Sequence, residues 1–286
     1  MKRFRIENLI GESETGIHNS HCMATHLAPP LIELRHVSVV RAGCMVLHDL
    51  NLRIEAGEHV AIMGPNGSGK STLIKTITRE LYPLYDPNSS MRLFGQETWN
   101  VSELRSMLGV VTNDNDAFYS RPITGREGVL SGFFSSVGLS RHQKIKPEMD
   151  AKTDELLAWL EIEHLAGRVI GEMSSGEVRR VMIARALVHE PRALLFDEPS
   201  NSLDVSAQIE LRRTMSKLAQ SGIALLLITH HLPDVVPEIK RVIFMRGGRI
   251  VNDGGKPELL TARSLGSLFG CPVQVTRQDG HYHLVS

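Results

Sequence analysis

The chain has 286 residues, 42 % apolar and 22 % charged, enough for one large domain or two small ones with a substantial core. Its 32 basic residues balance 32 acidic ones, which removes any overall pull toward nucleic acid or anionic lipid, so nucleic acid is not an expected partner. Three scattered cysteines (Cys22, Cys44 and Cys271) exclude a disulfide framework or cysteine zinc site, and no apolar run of about 18 residues is available to span a membrane, so the expected location is the cytosol.

The basic start Met1-Lys2-Arg3-Phe4-Arg5 has no apolar stretch behind it, so a secretory signal is not expected. Residues 1–30 show no period, end in Ala28-Pro29-Pro30, and read as a loose extension dispensable for folding. Strand-like runs follow over residues 31–40 and 46–54. Residues 59–63 form a short apolar run of the buried-strand kind. A Gly-rich loop comes next, then a helix over residues 71–81. Further short strands are expected at 91–95 and 109–111. From 122 to 168 the pattern turns helical, with Leu156, Leu157 and Leu160 on one face, which marks a helical insertion over about residues 115–175. A helix over 175–188 precedes two apolar strands, 193–196 and 223–228. Strands alternating with helices predict an α/β fold with a mostly parallel sheet and helices on its faces. Residues 271–286 read as a β-rich tail, with Asp279-Gly280 as its hairpin turn.

Gly64-Pro65-Asn66-Gly67-Ser68-Gly69-Lys70-Ser71, followed by Thr72, fits G-x-x-x-x-G-K-[ST] between a buried strand and a helix. Glycines let the backbone N–H groups curl toward phosphate oxygens, and the helix start adds its positive end. Lys70 is expected on the β- and γ-phosphates of ATP, and the Ser71 hydroxyl on Mg²⁺. Leu194-Leu195-Phe196 ends in Asp197 and Glu198. At the carboxyl end of a core strand Asp197 would hold Mg²⁺ and Glu198 would face the attacking water. Leu225-Leu226-Leu227-Ile228-Thr229 delivers His230 to the same edge, where it would contact the γ-phosphate and the water. His231 lacks such support and reads as a solvated neighbour.

Met173-Ser174-Ser175-Gly176-Glu177 stands before Val178-Arg179-Arg180, some twenty residues ahead of the acidic pair, and Ser202-Leu203-Asp204 follows that pair. This series resembles the ATP-binding cassette (ABC) family over about residues 31–270. The resemblance implies a P-loop NTPase core, an N-terminal antiparallel β subdomain and a helical insertion. It further implies that Ser174, Ser175, Gly176 and Glu177 meet the γ-phosphate held by a second copy, in a head-to-tail homodimer crossed by the loop Ser202-Leu203-Asp204. Ser174-x-x-Glu177 also fits a capping box. Where the family stacks an aromatic ring on adenine this chain has Arg41, whose flat guanidinium can stack instead. Where the family has a Mg²⁺- and water-sensing glutamine it has Asn113, or else Asn115. Residues 129–139 look like a subgroup related to molybdate-transport ATPases. The implied role is the ATP-hydrolysing subunit of a transporter, peripheral to a separate transmembrane permease. A soluble ABC ATPase on a ribosome, nucleic acid or regulatory complex is the alternative. The single cassette and the lack of a long coiled-coil insertion favour the first.

Overall fold

The computed structural model describes residues 28–112 and 122–285. The expected extension over residues 1–30 lies outside them except for its last three residues, and so do Asn113 and Asn115.

Strands β1 (Ile32–Arg41) and β2 (Cys44–Ile54) form an antiparallel hairpin turned by Ala42 and Gly43, both at positive φ. That turn geometry matches the twist of paired strands. Strand β4 (Ser90–Leu93) pairs with the other edge of β1, completing the expected antiparallel N-terminal sheet in the order β2-β1-β4.

The main sheet is built from β3 (Val60–Met63), β5 (Leu108–Val111), β6 (Ala193–Asp197), β7 (Ala224–Thr229), β8 (Arg241–Arg246) and β9 (Arg249–Gly255). Their order is β5-β6-β7-β3-β8-β9, parallel throughout except for β9. Side chains alternate across a strand, so each apolar run feeds two cores. Ala61, Met63, Leu194, Phe196, Leu225 and Leu227 face one side, packed with the helical insertion and with helices α5 (Ser175–Leu187) and α6 (Val205–Gln220). Val60, Ile62, Leu195, Leu226 and Ile228 face the other, packed with the N-terminal sheet and α1 (Lys70–Ile77).

The insertion is helical as expected: α3 (Gly125–Leu130) and α4 (Pro147–Trp159), each followed by a short 3-10 turn. Leu156, Leu157 and Leu160 are buried. Helix α1 stops four residues short of the expected end. Arg79 takes a left-handed φ of 62°, and the Glu80 and Leu81 amides fold back onto the Lys75 carbonyl. The Arg79 guanidinium donates to the Met91 and Glu97 carbonyls, which holds the break. Helix α2 (Val101–Met107), α6 and the β8–β9 hairpin were not legible in advance, although Gly247-Gly248 at the hairpin turn is a known signal.

After β9 come the short helices α7 (Lys256–Leu259) and α8 (Ala262–Phe269), then the expected tail hairpin of β10 (Gln274–Gln278) and β11 (His281–Val285). Asp279 and Gly280 form its turn, both at positive φ. Buried Lys256 donates to the Val235 and Val236 carbonyls and lies 5.4 Å from the Tyr282 ring of the tail. Burial pushes this ammonium down to about 8. Among the described residues no helix is long and apolar enough to cross a membrane.

Candidate functional site

Parallel pairing brings Met63, Phe196 with Asp197, Thr229 and Val111 to one edge of the main sheet. Met63 pairs with Thr229, Asp197 with Ile228, and Val111 with Phe196. The residues that follow each strand therefore converge where strand order switches around β3, the usual ligand crevice of an open α/β sheet.

After β3 the chain runs through Gly64 to Gly69 and into α1. Gly69 stands at the helix N-cap with φ 101°, a conformation that requires glycine, and no side chain caps the helix. The first-turn amides are thus left to an anion. Gly64, Ser68, Gly69, Lys70 and Thr72 are buried, Pro65 is half-buried, and Asn66, Gly67 and Ser71 are exposed. The Lys70 ammonium donates to the loop's own carbonyls, Gly64 at 2.7 Å and Pro65 at 3.2 Å, and stands 3.7 Å from Glu198 Oε1. Burial pushes its pKa down, and the charges of Glu198 and Asp197 oppose that shift. Ser68 Oγ is buried with no hydrogen-bond partner. An uncapped helix start, a desolvated lysine and an unsatisfied hydroxyl around one loop fit a polyphosphate. Half-buried Asp197 and the exposed Ser71 hydroxyl supply the hard oxygen donors that Mg²⁺ requires.

Burial pushes the Asp197 carboxyl up, reinforced by Glu198, while Lys70 and Arg179 pull it back. Glu198 adopts φ 46°, strained for a side chain of its size, and its amide donates to the Ile228 carbonyl at 2.8 Å. The turn lets Glu198 leave the strand alternation and reach His230. His230 Nδ1 lies 2.7 Å from Glu198 Oε2, at ion-pair distance but off the direction a hydrogen bond needs, and its amide donates to the same oxygen at 3.2 Å. The phosphate loop, Asp197, Glu198 and His230 are therefore brought together as their order suggested.

His231 corrects the expectation of a solvated neighbour. It is half-buried, its Nε2 sits 3.0 Å from Asn201 Oδ1, and its ring centroid lies 4.0 Å from that of His230. Burial, then the His230 charge, pushes its pKa down.

The signature residues lie apart from this edge, on the surface. Ser174 and Ser175 are exposed, Gly176 and Glu177 half-buried. The capping box is present: the Ser174 hydroxyl accepts from the Glu177 amide, and the Glu177 carboxylate accepts from the Ser174 amide at 2.7 Å. Arg168 donates to the same carboxylate at 2.6 Å. The Ser174 amide, then its hydroxyl and Arg168, hold the Glu177 carboxyl below its usual range. Ser175 Oγ donates to the Ser202 carbonyl, linking the signature to the loop before α6. A Cβ on Gly176 would come within 2.6 Å of Ala207 Cβ, so this glycine sets the approach of α5 to α6. Arg41 ends β1, exposed beside the first hairpin turn.

Sequence reasoning missed Arg179. It is buried on α5 and donates to the Thr112 carbonyl at 2.7 Å, tying the signature helix to the end of β5. Its neighbours Val178, Val181 and Met182 are buried on the same helix, so an arginine among them was the available signal.

The model of the ABC transporter family matches residues 47–201. The glutamine transport ATP-binding protein of Escherichia coli K12 is 33 % identical over 242 residues, 80 % of this chain and 93 % of that protein. The hemin import ATP-binding protein of Rhizobium meliloti is 31 % identical over 262 residues, 88 % of this chain and 95 % of that one. Among solved structures, a dimeric post-hydrolysis ATP-binding cassette with ADP and phosphate is 27 % identical with a TM-score of 0.64, covering 78 % of this chain and 98 % of its own. With a phosphate loop, an acidic strand end and a capped signature helix in the order this family model spans, the chain belongs to the ABC transporter family.

Proposed function

We propose that this chain is the ATP-hydrolysing subunit of an import-type ABC transporter, working as a head-to-tail homodimer on the cytoplasmic face of a separate membrane-spanning permease. The observation that carries the hydrolytic reading is the position of Glu198. It follows Asp197 at the phosphate-loop edge, 3.7 Å from the Lys70 ammonium, with its other oxygen beside His230. Lys70 and the α1 amides bind the phosphates of ATP, with Arg41 packed near the adenine. Ser71 and Asp197 would hold Mg²⁺, which when bound would neutralise charge on the phosphate oxygens. Glu198 orients and polarises the water for in-line attack, and His230 holds Glu198 and the water in register. Ser174 and Gly176 of the second copy close the site over the γ-phosphate. The import reading is supported by the hemin import relative, which is nearly matched in length.

The test is affinity purification from gently solubilised membranes, with ATPase assay of what is recovered. A co-purifying multi-span protein and hydrolysis that Glu198→Gln lowers by about 10²–10⁴ are expected. A purely soluble complex, with the protein absent from membranes, would replace the transporter reading by that of a soluble ABC ATPase.

A further inference from the structure

We infer that Glu198, His230 and His231 form a site for a transition-metal ion of the Zn²⁺ class in the nucleotide-free chain, and that filling it blocks hydrolysis. The binding stands on geometry alone; the blocking rests on the roles proposed above for Glu198 and His230.

Consecutive residues leaving a strand normally point to opposite faces. Here the chain bends at His230, and the two imidazoles pack against each other, tilted by 38°, with centroids 4.0 Å apart. A donor atom from each ring and one Glu198 oxygen all lie within 4.8 Å of one another. Zinc–nitrogen and zinc–oxygen bonds of about 2.1 Å in a tetrahedron put donors about 3.4 Å apart, so closure needs movements of about 1.5 Å at most.

Two further observations point to a metal. His230 Nδ1 is buried with no hydrogen-bond partner and faces Glu198 Oε2 at 2.7 Å. His231 Nε2 meets Asn201 Oδ1 at 3.0 Å, so the Nε2–H donates and Nδ1 keeps its lone pair. Orientation of one ring nitrogen by an outer oxygen, leaving the other for an ion, is how metal-ligating histidines are commonly held. Two imidazoles and a carboxylate suit Zn²⁺, Ni²⁺ or Co²⁺ rather than Mg²⁺, for which the oxygen donors of Asp197 and Ser71 are the better match. An ion held there would occupy the carboxylate proposed to orient water, so a transition metal and catalysis exclude each other.

The experiment titrates Co²⁺, read by its visible absorption, into the full-length nucleotide-free protein, alongside His231→Gln and Asn201→Ala. One tightly bound Co²⁺ per chain, displaced by Zn²⁺, is expected. His231→Gln should weaken it at least tenfold, and Asn201→Ala by about 10–100-fold through the lost outer oxygen. Zn²⁺ should inhibit Mg-ATP hydrolysis by the wild type, and His231→Gln should resist it while hydrolysing at the wild-type rate without Zn²⁺. Equal Co²⁺ affinity in wild type and both variants would overturn the site. Tight Co²⁺ binding lost in the variants, with no ATPase in any of them, would keep the metal site and instead overturn the hydrolytic reading.

Discussion

Two helices of this chain begin at motifs expected to meet phosphate, and they begin differently. Helix α1 starts at Gly69 with no side-chain cap, its lysine buried and turned onto the loop's own carbonyls. Helix α5 starts at Ser174 with a complete capping box, and its Glu177 carboxylate is held by Arg168 as well. An uncapped start leaves amide donors unpaired, and an anion satisfies them. A capped start has fewer donors to offer and keeps its shape without a ligand. The phosphate loop is thus built to bind from within one chain. The signature is a preformed surface that, in the proposed dimer, would serve a second copy.

The largest expected effect tests the first helix's edge. Glu198→Gln keeps size and one hydrogen-bonding oxygen but removes the basic charge, so hydrolysis should fall by about 10²–10⁴ while ATP affinity survives. Parallel measurements of turnover and equilibrium binding check this; wild-type turnover would mean that another group, His230 first, positions the water.

Lys70→Ala should act on binding instead. Loss of a charge-assisted phosphate contact is worth about 1.5–3 kcal/mol, or about 10–150-fold in ATP affinity. Calorimetry in Mg-ATP separates it from Glu198→Gln, and an unchanged affinity would show that the loop amides suffice.

Ser174→Ala sharpens the comparison from the other side. Losing the N-cap hydroxyl should cost about 1 kcal/mol of stability, seen as a lower denaturation midpoint, while ATP affinity of the monomer stays unchanged. ATP-dependent dimerisation of the Glu198→Gln background, followed by sedimentation, should weaken. A dimer of undiminished strength would remove Ser174 from the second site.

The smallest effect is expected at Arg41. Exposed at the end of β1, it should contribute on the order of 0.5–1 kcal/mol to ATP affinity by stacking on adenine. If Arg41→Ala binds ATP as the wild type does, the residue is an ordinary turn arginine.

Main-sheet strands β3, β5, β6 and β7, the phosphate loop, the acidic pair and His230 were legible in the sequence because each rests on local order: an apolar run of strand length ending in a polar residue of defined chemistry. The Ser174–Glu177 capping box and the Asp279-Gly280 turn were legible for the same reason, since both are satisfied within a few residues. Helix α6 was harder. Its buried Leu211, Met215, Leu218 and Ala219 form a narrow stripe among polar residues, and only packing against α5 and the sheet makes that stripe decisive. Arg179 was missed and His231 misread because their partners, Thr112 and Asn201, lie 67 and 30 residues away.

By itself, then, the sequence determined which strands reach the functional edge and which chemistry they carry there, because periodicity and motif spacing are properties of neighbouring residues. Only the tertiary structure decided that Glu198 turns through a left-handed backbone to meet His230. The same holds for the close, tilted packing of the two adjacent histidine rings and for Gly176 setting the distance between α5 and α6. Those outcomes depend on contacts between segments far apart in the chain, whose geometry is fixed only when the sheet and its two cores close together.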